Sequence, residues 1–227
     1  AQLSRGLGDV YKRQSIESAE MAKISINSYI TSKISFANAI GITSDNIENC
    51  SSKDVLSAIG SDSRIGKKYL NKGLGFGGPC FPRDNRAIQQ VINRTKGLDY
   101  YLPIQNETFN SKLPDYYVKK IDQFCINKNI DNVLVVGLTY KDGSYLLEES
   151  QSYLISLKLS KNYKVFYFDP DVSTDDNALR LEALNLNSKV SGDILLLNCS
   201  RDDTKLKKAK KIIKEKNLNY FPLDIWE

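Results

Sequence analysis

The twelve residues from Gly73 to Asp84, G-L-G-F-G-G-P-C-F-P-R-D, join a glycine-rich loop to a nucleophile. Five of the first seven positions are glycine or proline, which lets the backbone approach another group closely. Cys80 follows, and Pro82 predicts the opening of a helix because proline suits the first helical position. The positive end of that helix and the neighbouring Arg83 favour the thiolate, which is the nucleophilic form of cysteine. The pattern predicts covalent catalysis by Cys80.

A cysteine taken alone is more often a small buried hydrophobic residue than a nucleophile. The catalytic interpretation depends on the C-F-P-R-D continuation that begins at Cys80. Upstream, Lys23 and Asn27 are four residues apart and share one face of a helix. Spacing alone fits a pair of surface residues as well as a catalytic pair.

A long helical pattern from Ser15 to Ala39 positions Lys23 and Asn27. Apolar residues recur in it at three-to-four spacing and form one stripe, namely Ile16, Ala19, Ile26, Ile30, Ile34 and Ala37. A second stripe is polar and consists of Glu20, Lys23, Asn27, Thr31, Ser35 and Asn38. Further helices are predicted over Ser44–Asn49, Ser52–Ile59, Pro82–Arg94 and Ile104–Asn127, the last interrupted near Pro114.

Strand and helix patterns alternate after Asp131. The apolar run Asn132–Leu138 is typical of a buried parallel strand. It is followed by helix Ser152–Ser160, strand Tyr163–Phe168, helix Asp175–Leu184, strand Asp193–Asn198, helix Asp202–Lys216 and strand Tyr220–Ile225. The alternation predicts an α/β chain in which a helical part precedes a small doubly wound parallel sheet. A strand that ends at Gly137 lacks the three-glycine turn of a dinucleotide site, so we expect no NAD in this sheet.

The composition excludes several classes of function. With 41% hydrophobic and 26% charged residues the chain is typical of globular proteins, and no apolar run is long enough to cross a membrane. The absence of histidine rules out serine–histidine hydrolases and histidine-ligated metal sites. Scattered cysteines and no secretory signal favour the cytoplasm. The net charge of +5 is mild, and the basic run Lys205–Lys216 predicts a solvated helix face rather than nucleic-acid binding.

The segment Gly73–Asp84 resembles the active-site motif of the UDP-glucose and GDP-mannose dehydrogenase family, G-x-G-x-G-G-x-C-F-P-K-D, with Arg83 in place of the lysine. The segment Ser18–Asn38 resembles the central helix of that family, whose lysine and asparagine line the active site. The resemblance therefore implies that Lys23 and Asn27 belong to the catalytic group. It ends at Asn38, because the family usually has glutamate where this chain has Ala39.

Two more segments resemble family motifs. Asp62, Arg64, Ile65 and Gly66 resemble D-x-R-I-G, and residues 137–150 resemble G-L-x-[FY]-K-x-x-T-x-D-x-R-E-S, with Leu146 and Glu148 in place of aspartate and arginine. The arginine of the first motif reaches the substrate of a neighbouring subunit in relatives. The resemblance implies that the residues in contact with substrate are Arg64, Tyr69, Phe76, Gly77 and Lys141.

The resemblance implies oxidation of the C6 alcohol of a UDP-sugar, with UDP-glucose as the leading candidate, to a carboxylate with two NAD. Cys80 would form a thiohemiacetal and then a thioester. Lys23 and Asn27 would stabilise oxyanions, and Asp84 would orient water or accept a proton. Arg83 would contribute charge and face the cofactor. Dehydrogenases of UDP-N-acetyl-hexosamines or GDP-mannose remain alternatives, as does a non-catalytic module that binds nucleotide sugars and dimerises.

The expected organisation has three parts. Residues 1–14 look like translated adaptor sequence, residues 15–110 form a central helical dimerisation domain with the catalytic cysteine, and residues 111–227 form a UDP-sugar-binding sheet domain. Family members also carry an N-terminal NAD-binding domain with a G-x-G-x-x-G turn. We therefore expect this chain to be the back two-thirds of an enzyme, inactive alone, and to form a homodimer through the long helix.

Overall fold

The computed structural model describes residues 15–172, 181–185 and 187–226. The predicted adaptor segment 1–14 lies outside these ranges. The helical part that comes first contains α1 (Ile16–Asp45), α2 (Ser52–Ser61), α3 (Phe81–Asn93) and α4 (Leu102–Lys128). The sheet part follows with β1 (Asn132–Val136), α5 (Gln151–Leu159), β2 (Lys164–Phe168), β3 (Glu182–Ala183), β4 (Ile194–Asn198), α6 (Asp203–Glu215) and β5 (Tyr220–Asp224).

The sheet has the strand order β3-β2-β1-β4-β5, and all its neighbouring strands are parallel. In the register of its centre, Asn132 lies opposite Lys164 on one side and Ile194 on the other. β1 and β4 are buried along their whole length because apolar clusters cover both faces. The predicted α/β class with a doubly wound parallel sheet is confirmed.

Helix α1 is longer than predicted and is buried on its polar side. It runs to Asp45, so the separate helix predicted over Ser44–Asn49 is wrong. Ser44 does not cap a new helix, since its Oγ donates to Ile40 O at 2.8 Å. The buried residues of α1 are small or polar, namely Ser28, Thr31, Ser35, Ala37, Asn38, Gly41 and Ser44. Large apolar residues of α1 instead face outward, among them Ile26, Tyr29 and Phe36.

Two further predictions need correction. Helix α4 continues through Pro114 without interruption, because Leu113, Tyr117 and Ile121 are buried against the sheet and hold both flanking turns. The helix predicted over Asp175–Leu184 is wrong at its end. Glu182 and Ala183 pair in parallel with β2, and residues 173–180 lie outside the described ranges.

Helix α4 connects the helical part to the sheet. It packs against α1 and α3 in the helical part and against α5 beside the sheet. Its residues Leu113, Tyr117, Ile121 and Cys125 belong to the same apolar core as β1 and β4. Of the helices that the structure describes, none combines the length and the hydrophobicity that a membrane span requires.

Candidate active site

Cys80 lies at the junction of the glycine loop (residues 73–79) and α3. It occupies the N-cap position, where its carbonyl oxygen accepts from Asp84 N at 2.9 Å. Phe81 is the first helical residue, so Pro82 stands at the second position rather than at the predicted first. Cys80 is exposed, whereas Cys125 and Cys199 are buried and burial raises the pKa of both their thiols, to about 11 for Cys125. Cys50 is half-buried, so Cys80 at the helix start is the one exposed thiol among the four cysteines.

A cluster of polar side chains joins α1 to α3 one turn after Cys80. Lys23 Nζ forms a salt bridge with Asp84 Oδ2, and Asn27 Nδ2 donates to the same oxygen at 2.6 Å. The Asp84 side chain is 3% exposed, whereas that of Lys23 is 52% exposed. Burial by itself would raise the pKa of Asp84. The hydrogen bonds from Lys23 and Asn27 outweigh it, so this pKa lies below its ordinary value. The structure thus brings together three of the four predicted catalytic residues, with Lys23 and Asn27 on α1 and Asp84 on α3, the helix that Cys80 begins.

Arg83 lies at the edge of this cluster. Its Nε is 3.3 Å from Asp84 Oδ1, and its side chain is 64% exposed. Beside it an open cleft of about 720 Å³ separates the start of α1 from α3, and Glu17, Ala19, Glu20, Met21, Lys23, Ile24, Arg83, Asp84 and Val91 line it. The cleft leaves room for a second molecule next to the Lys23–Asp84 pair.

Three side chains bond the backbone of the glycine loop, and the sequence patterns predicted none of these contacts. Asn38 Oδ1 accepts from Gly73 N at 2.9 Å, and the Tyr117 hydroxyl donates to Gly73 O at 2.8 Å. Asn110 accepts from Phe76 N at 2.9 Å and donates to Phe76 O at 2.8 Å. One signal was available in the sequence. Asn110 and Tyr117 share a helical face with apolar Leu113, where polar groups need partners because they are buried.

A second segment, the β1–α5 loop (residues 137–150), also packs against the glycine loop. Gly78, with φ +76°, donates its N–H to Glu148 O at 2.9 Å. A Cβ on Gly78 would lie 2.5 Å from the Tyr140 ring, and one on Gly77 would lie 2.3 Å from Glu149 O. Both positions therefore require glycine, since no side chain fits between the two loops.

The predicted substrate residues lie at four different places in the structure. Gly77 and buried Phe76 belong to the glycine loop, and Lys141, whose Nζ lies 5.3 Å from the Tyr140 ring centre, is on the β1–α5 loop. Arg64 is exposed and makes a surface ion pair with Asp62, and within the described residues it forms no hydrogen bond or ion pair with Cys80.

Tyr69 lies on a different cleft, of about 470 Å³, between the residues before the glycine loop and the end of the sheet. The Arg201 guanidinium stacks on the Trp226 ring at 4.1 Å there, and the buried Nε1 of Trp226 has no hydrogen-bond partner among the described residues. The lining residues are Ile34, Lys68, Tyr69, Asn71, Leu74, Gly75, Arg201 and Trp226. Cationic and aromatic groups of this kind suit a nucleotide.

The carboxyl edge of the sheet holds an internal ion cluster. Buried Lys205 contacts three carboxylates, and we name these residues the Lys205 cluster: Asp142 at 3.1 Å, Asp169 at 2.7 Å and Asp171 at 2.7 Å. Asp169 Oδ2 also accepts from Leu138 N at 2.7 Å and from Thr139 N at 3.1 Å. These are the amides at the strand end to which a pyrophosphate would bind. Because the Asp169 carboxylate accepts from both amides, neither of them is free for a pyrophosphate.

Comparison with known proteins gives consistent matches. Residues 17–111 match the model of the UDP-glucose/GDP-mannose dehydrogenase family, central domain. A curated UDP-glucose 6-dehydrogenase of Rickettsia typhi is 32% identical over 171 residues, which is 74% of this chain and 38% of that protein. The chain thus spans about 38% of the length of that relative.

Solved structures show the fold. A UDP-glucose dehydrogenase from Pyrobaculum islandicum aligns with a TM-score of 0.72 at 22% identity, over 100% of this chain and 53% of that one. An NDP-N-acetyl-D-galactosaminuronic acid dehydrogenase from Methanosarcina mazei aligns with a TM-score of 0.73 at 16% identity, over 94% of this chain and 51% of that one.

Proposed function

Because the chain belongs to the UDP-glucose/GDP-mannose dehydrogenase family through its central domain, we propose that it carries the catalytic cysteine of an enzyme that oxidises the C6 alcohol of a UDP-sugar to a carboxylate. The observation that supports this most directly is the exposed Cys80 at the start of α3, with Lys23, Asn27 and Asp84 gathered one turn further on. UDP-glucose is the proposed sugar, since the curated relative carries that substrate in its name.

Cys80 acts on the aldehyde that the first oxidation produces. Its sulfur forms a bond to C6 and gives a thiohemiacetal, which retains the reactive aldehyde on the protein. Loss of hydride from C6 converts this adduct to a thioester, and water then cleaves the C–S bond to release the carboxylate and the thiol. The proposed hydride acceptor is NAD, two molecules per sugar. Its proposed site lies outside the sheet, with Arg83 facing it, and the engagement of the strand-end amides by Asp169 supports this assignment.

Lys23 and Asn27 stabilise the oxyanions that form on C6 in these steps. One such donor typically contributes about 3 kcal/mol to a transition state. Asp84 fixes both donors, because one of its oxygens accepts from each of them. Its lowered pKa keeps it ionised at neutral pH, so it can also hold the water that attacks the thioester.

The nucleotide half of the substrate is assigned to the cleft with Tyr69, Arg201 and Trp226. The guanidinium of Arg201, stacked on the Trp226 ring, suits a phosphate or a base. Lys141 would bind a phosphate from the β1–α5 loop. UDP-N-acetyl-hexosamines and GDP-mannose remain alternative substrates, because a dehydrogenase of a different sugar nucleotide shares the fold.

A second copy of this chain is the proposed partner. Helix α1 buries its polar side and exposes Ile26, Tyr29 and Phe36, which are 50%, 65% and 49% exposed. An apolar face on so long a helix is typical of a protein interface. Arg64 points into solvent on the same helical part and could reach the site of the partner.

The test is NADH production by the protein as its gene encodes it, with NAD and one sugar nucleotide at a time. The panel contains UDP-glucose, UDP-N-acetylglucosamine, UDP-N-acetylmannosamine and GDP-mannose. Two NADH per UDP-glucose are expected. Cys80→Ser should abolish turnover, whereas Cys50→Ser serves as the matched control and should not.

Trp226 is the only tryptophan of the chain, so its fluorescence reports ligand binding in the nucleotide cleft. Quenching by UDP-sugars that persists in Cys80→Ser is expected. Binding without NADH from any sugar would refute the dehydrogenase and favour a non-catalytic binding module. Wild-type turnover by Cys80→Ser would refute the covalent route.

A further inference from the structure

In the part of the chain that the structure describes, Asn110 is the one side chain that bonds both backbone groups of a single residue in the glycine loop. Its amide accepts from Phe76 N at 2.9 Å and donates to Phe76 O at 2.8 Å, as a neighbouring β-strand would. Asn110 is 6% exposed, so water does not compete for these bonds. Phe76 lies four residues before Cys80.

Gly75, the residue before Phe76, leaves space for the Asn110 amide because it has no Cβ. A Cβ on Gly75 would lie 2.0 Å from Asn110 Oδ1, so any side chain at that position would displace the amide. The absence of a Cβ at Gly75 thus has a specific function, which is to let Asn110 reach the backbone of Phe76.

Phe76 is in turn connected to the nucleophile Cys80 through Phe81. The Phe76 ring packs edge-to-face on Phe81, with ring centres 6.4 Å apart, and Phe81 follows Cys80 directly. Between them, Gly78 donates to Glu148 O of the β1–α5 loop, and Gly77 lies so close to Glu149 O that a Cβ there would be 2.3 Å from it. Cys80 itself makes no side-chain capping bond, so the position of its sulfur depends on these neighbours.

We propose that Asn110 is a positioning residue for Cys80. It does not contact the sulfur but fixes the backbone at Phe76, and through Phe76 and Phe81 it sets where the thiol is presented. This inference deepens the proposed function and rests on it for the catalytic role. The structural part, that Asn110 holds the loop, is independent of the reaction.

The test uses Asn110→Asp with Asn106→Asp as its matched control. Asp is nearly isosteric with Asn but has no N–H to give to Phe76 O. Asn106 lies one turn earlier on α4, is 5% exposed and donates to Ser32 Oγ at 2.7 Å rather than to the glycine loop. The two variants therefore place the same change at similar depth in the same helix.

The first readout is amide hydrogen exchange in this chain. In Asn110→Asp the peptide with residues 73–79 should exchange about tenfold faster, the effect of losing one buried hydrogen bond, while peptides of the sheet stay unchanged. Asn106→Asp should leave residues 73–79 protected. Equal protection of these residues in both variants, or loss of protection along the whole chain, would overturn the proposed hold.

The second readout is catalysis by the protein as its gene encodes it. Asn110→Asp should lower kcat by about tenfold or more with little change in KM, because a misplaced nucleophile slows the covalent step without weakening nucleotide binding. Asn106→Asp should retain kcat. An equal loss of kcat in both variants would reduce Asn110 to a structural role. If the wild type makes no NADH with any sugar, the proposed function fails, while the exchange result still decides whether Asn110 holds the loop.

Discussion

Replacing Asp84 with asparagine should destabilise the protein by an amount that depends on pH. The substitution keeps the shape but removes the charge that pairs with Lys23. A hydrogen bond to a charged group contributes about 1.5–3 kcal/mol, and because Lys23 is half exposed and can be solvated we expect a loss near the lower end, about 1.5–2 kcal/mol at neutral pH. Urea denaturation of both proteins measures the difference.

The pH dependence follows from the lowered pKa of Asp84. The folded protein binds this proton more weakly than the unfolded chain does, so the stability that the carboxylate contributes is complete above the unfolded pKa, about 3.9. It is lost as the pH falls through the folded value. The difference between wild type and Asp84→Asn should therefore be constant from pH about 7 to about 5 and shrink below about 4. Asp62→Asn, in a solvent-exposed pair, is the control. A difference that persists at the lowest pH, or one no larger than that of the control, would refute the buried ion pair.

Two further substitutions test the contact between the glycine loop and the β1–α5 loop, and the Lys205 cluster at the edge of the sheet. Gly78→Ala should lower the melting temperature more than Gly66→Ala. Both glycines have a positive φ, +76° at Gly78 and +72° at Gly66, and an alanine in this conformation loses about 1–2 kcal/mol of folding free energy. Only at Gly78 would the added Cβ also collide with the Tyr140 ring. Equal shifts would mean that the two loops are not in contact. Lys205→Met should cost about 3–5 kcal/mol, because it leaves the buried carboxylates of the Lys205 cluster unpaired. Lys208→Met, exposed on the same helix, should change stability by less than about 0.5 kcal/mol, and equal urea midpoints would contradict the cluster.

The helices and strands were largely predictable, because the hydrophobic pattern that indicates each of them lies within its own segment of the sequence. The apolar runs at β1 and β4 and the alternation with helices identified the parallel sheet without any tertiary information. The side of α1 that is buried was not predictable in the same way. Apolar periodicity identifies the inner face only where the inner neighbour is apolar, and here α1 faces α3 and α4 through polar pairs such as Thr31 Oγ1 to Asn85 Oδ1 at 3.0 Å.

In the candidate site, too, the residues that are contiguous in sequence were predictable, and the contacts between distant residues were not. The loop, Cys80 and the helix after it are contiguous, so their pattern could be read directly. The spacing of Lys23 and Asn27 gave a shared face but not a partner, since Asp84 lies 61 and 57 residues further along the chain. The contact between Asn110 and the glycine loop was not predicted, because an asparagine inside a helix normally faces solvent. Only the folded arrangement shows that Asn110 faces the loop.

The glycine loop obtains its shape from contacts that are remote in sequence. Its partners Asn38, Asn110 and Tyr117 are 35, 34 and 44 residues away from the loop positions they bond. The β1–α5 loop is more remote still. The loop is therefore not a portable module. Moved to another scaffold as residues 73–84, it would carry the nucleophile without its geometry, and the smallest transferable unit would need α1, α3, α4 and the first strand and loop of the sheet.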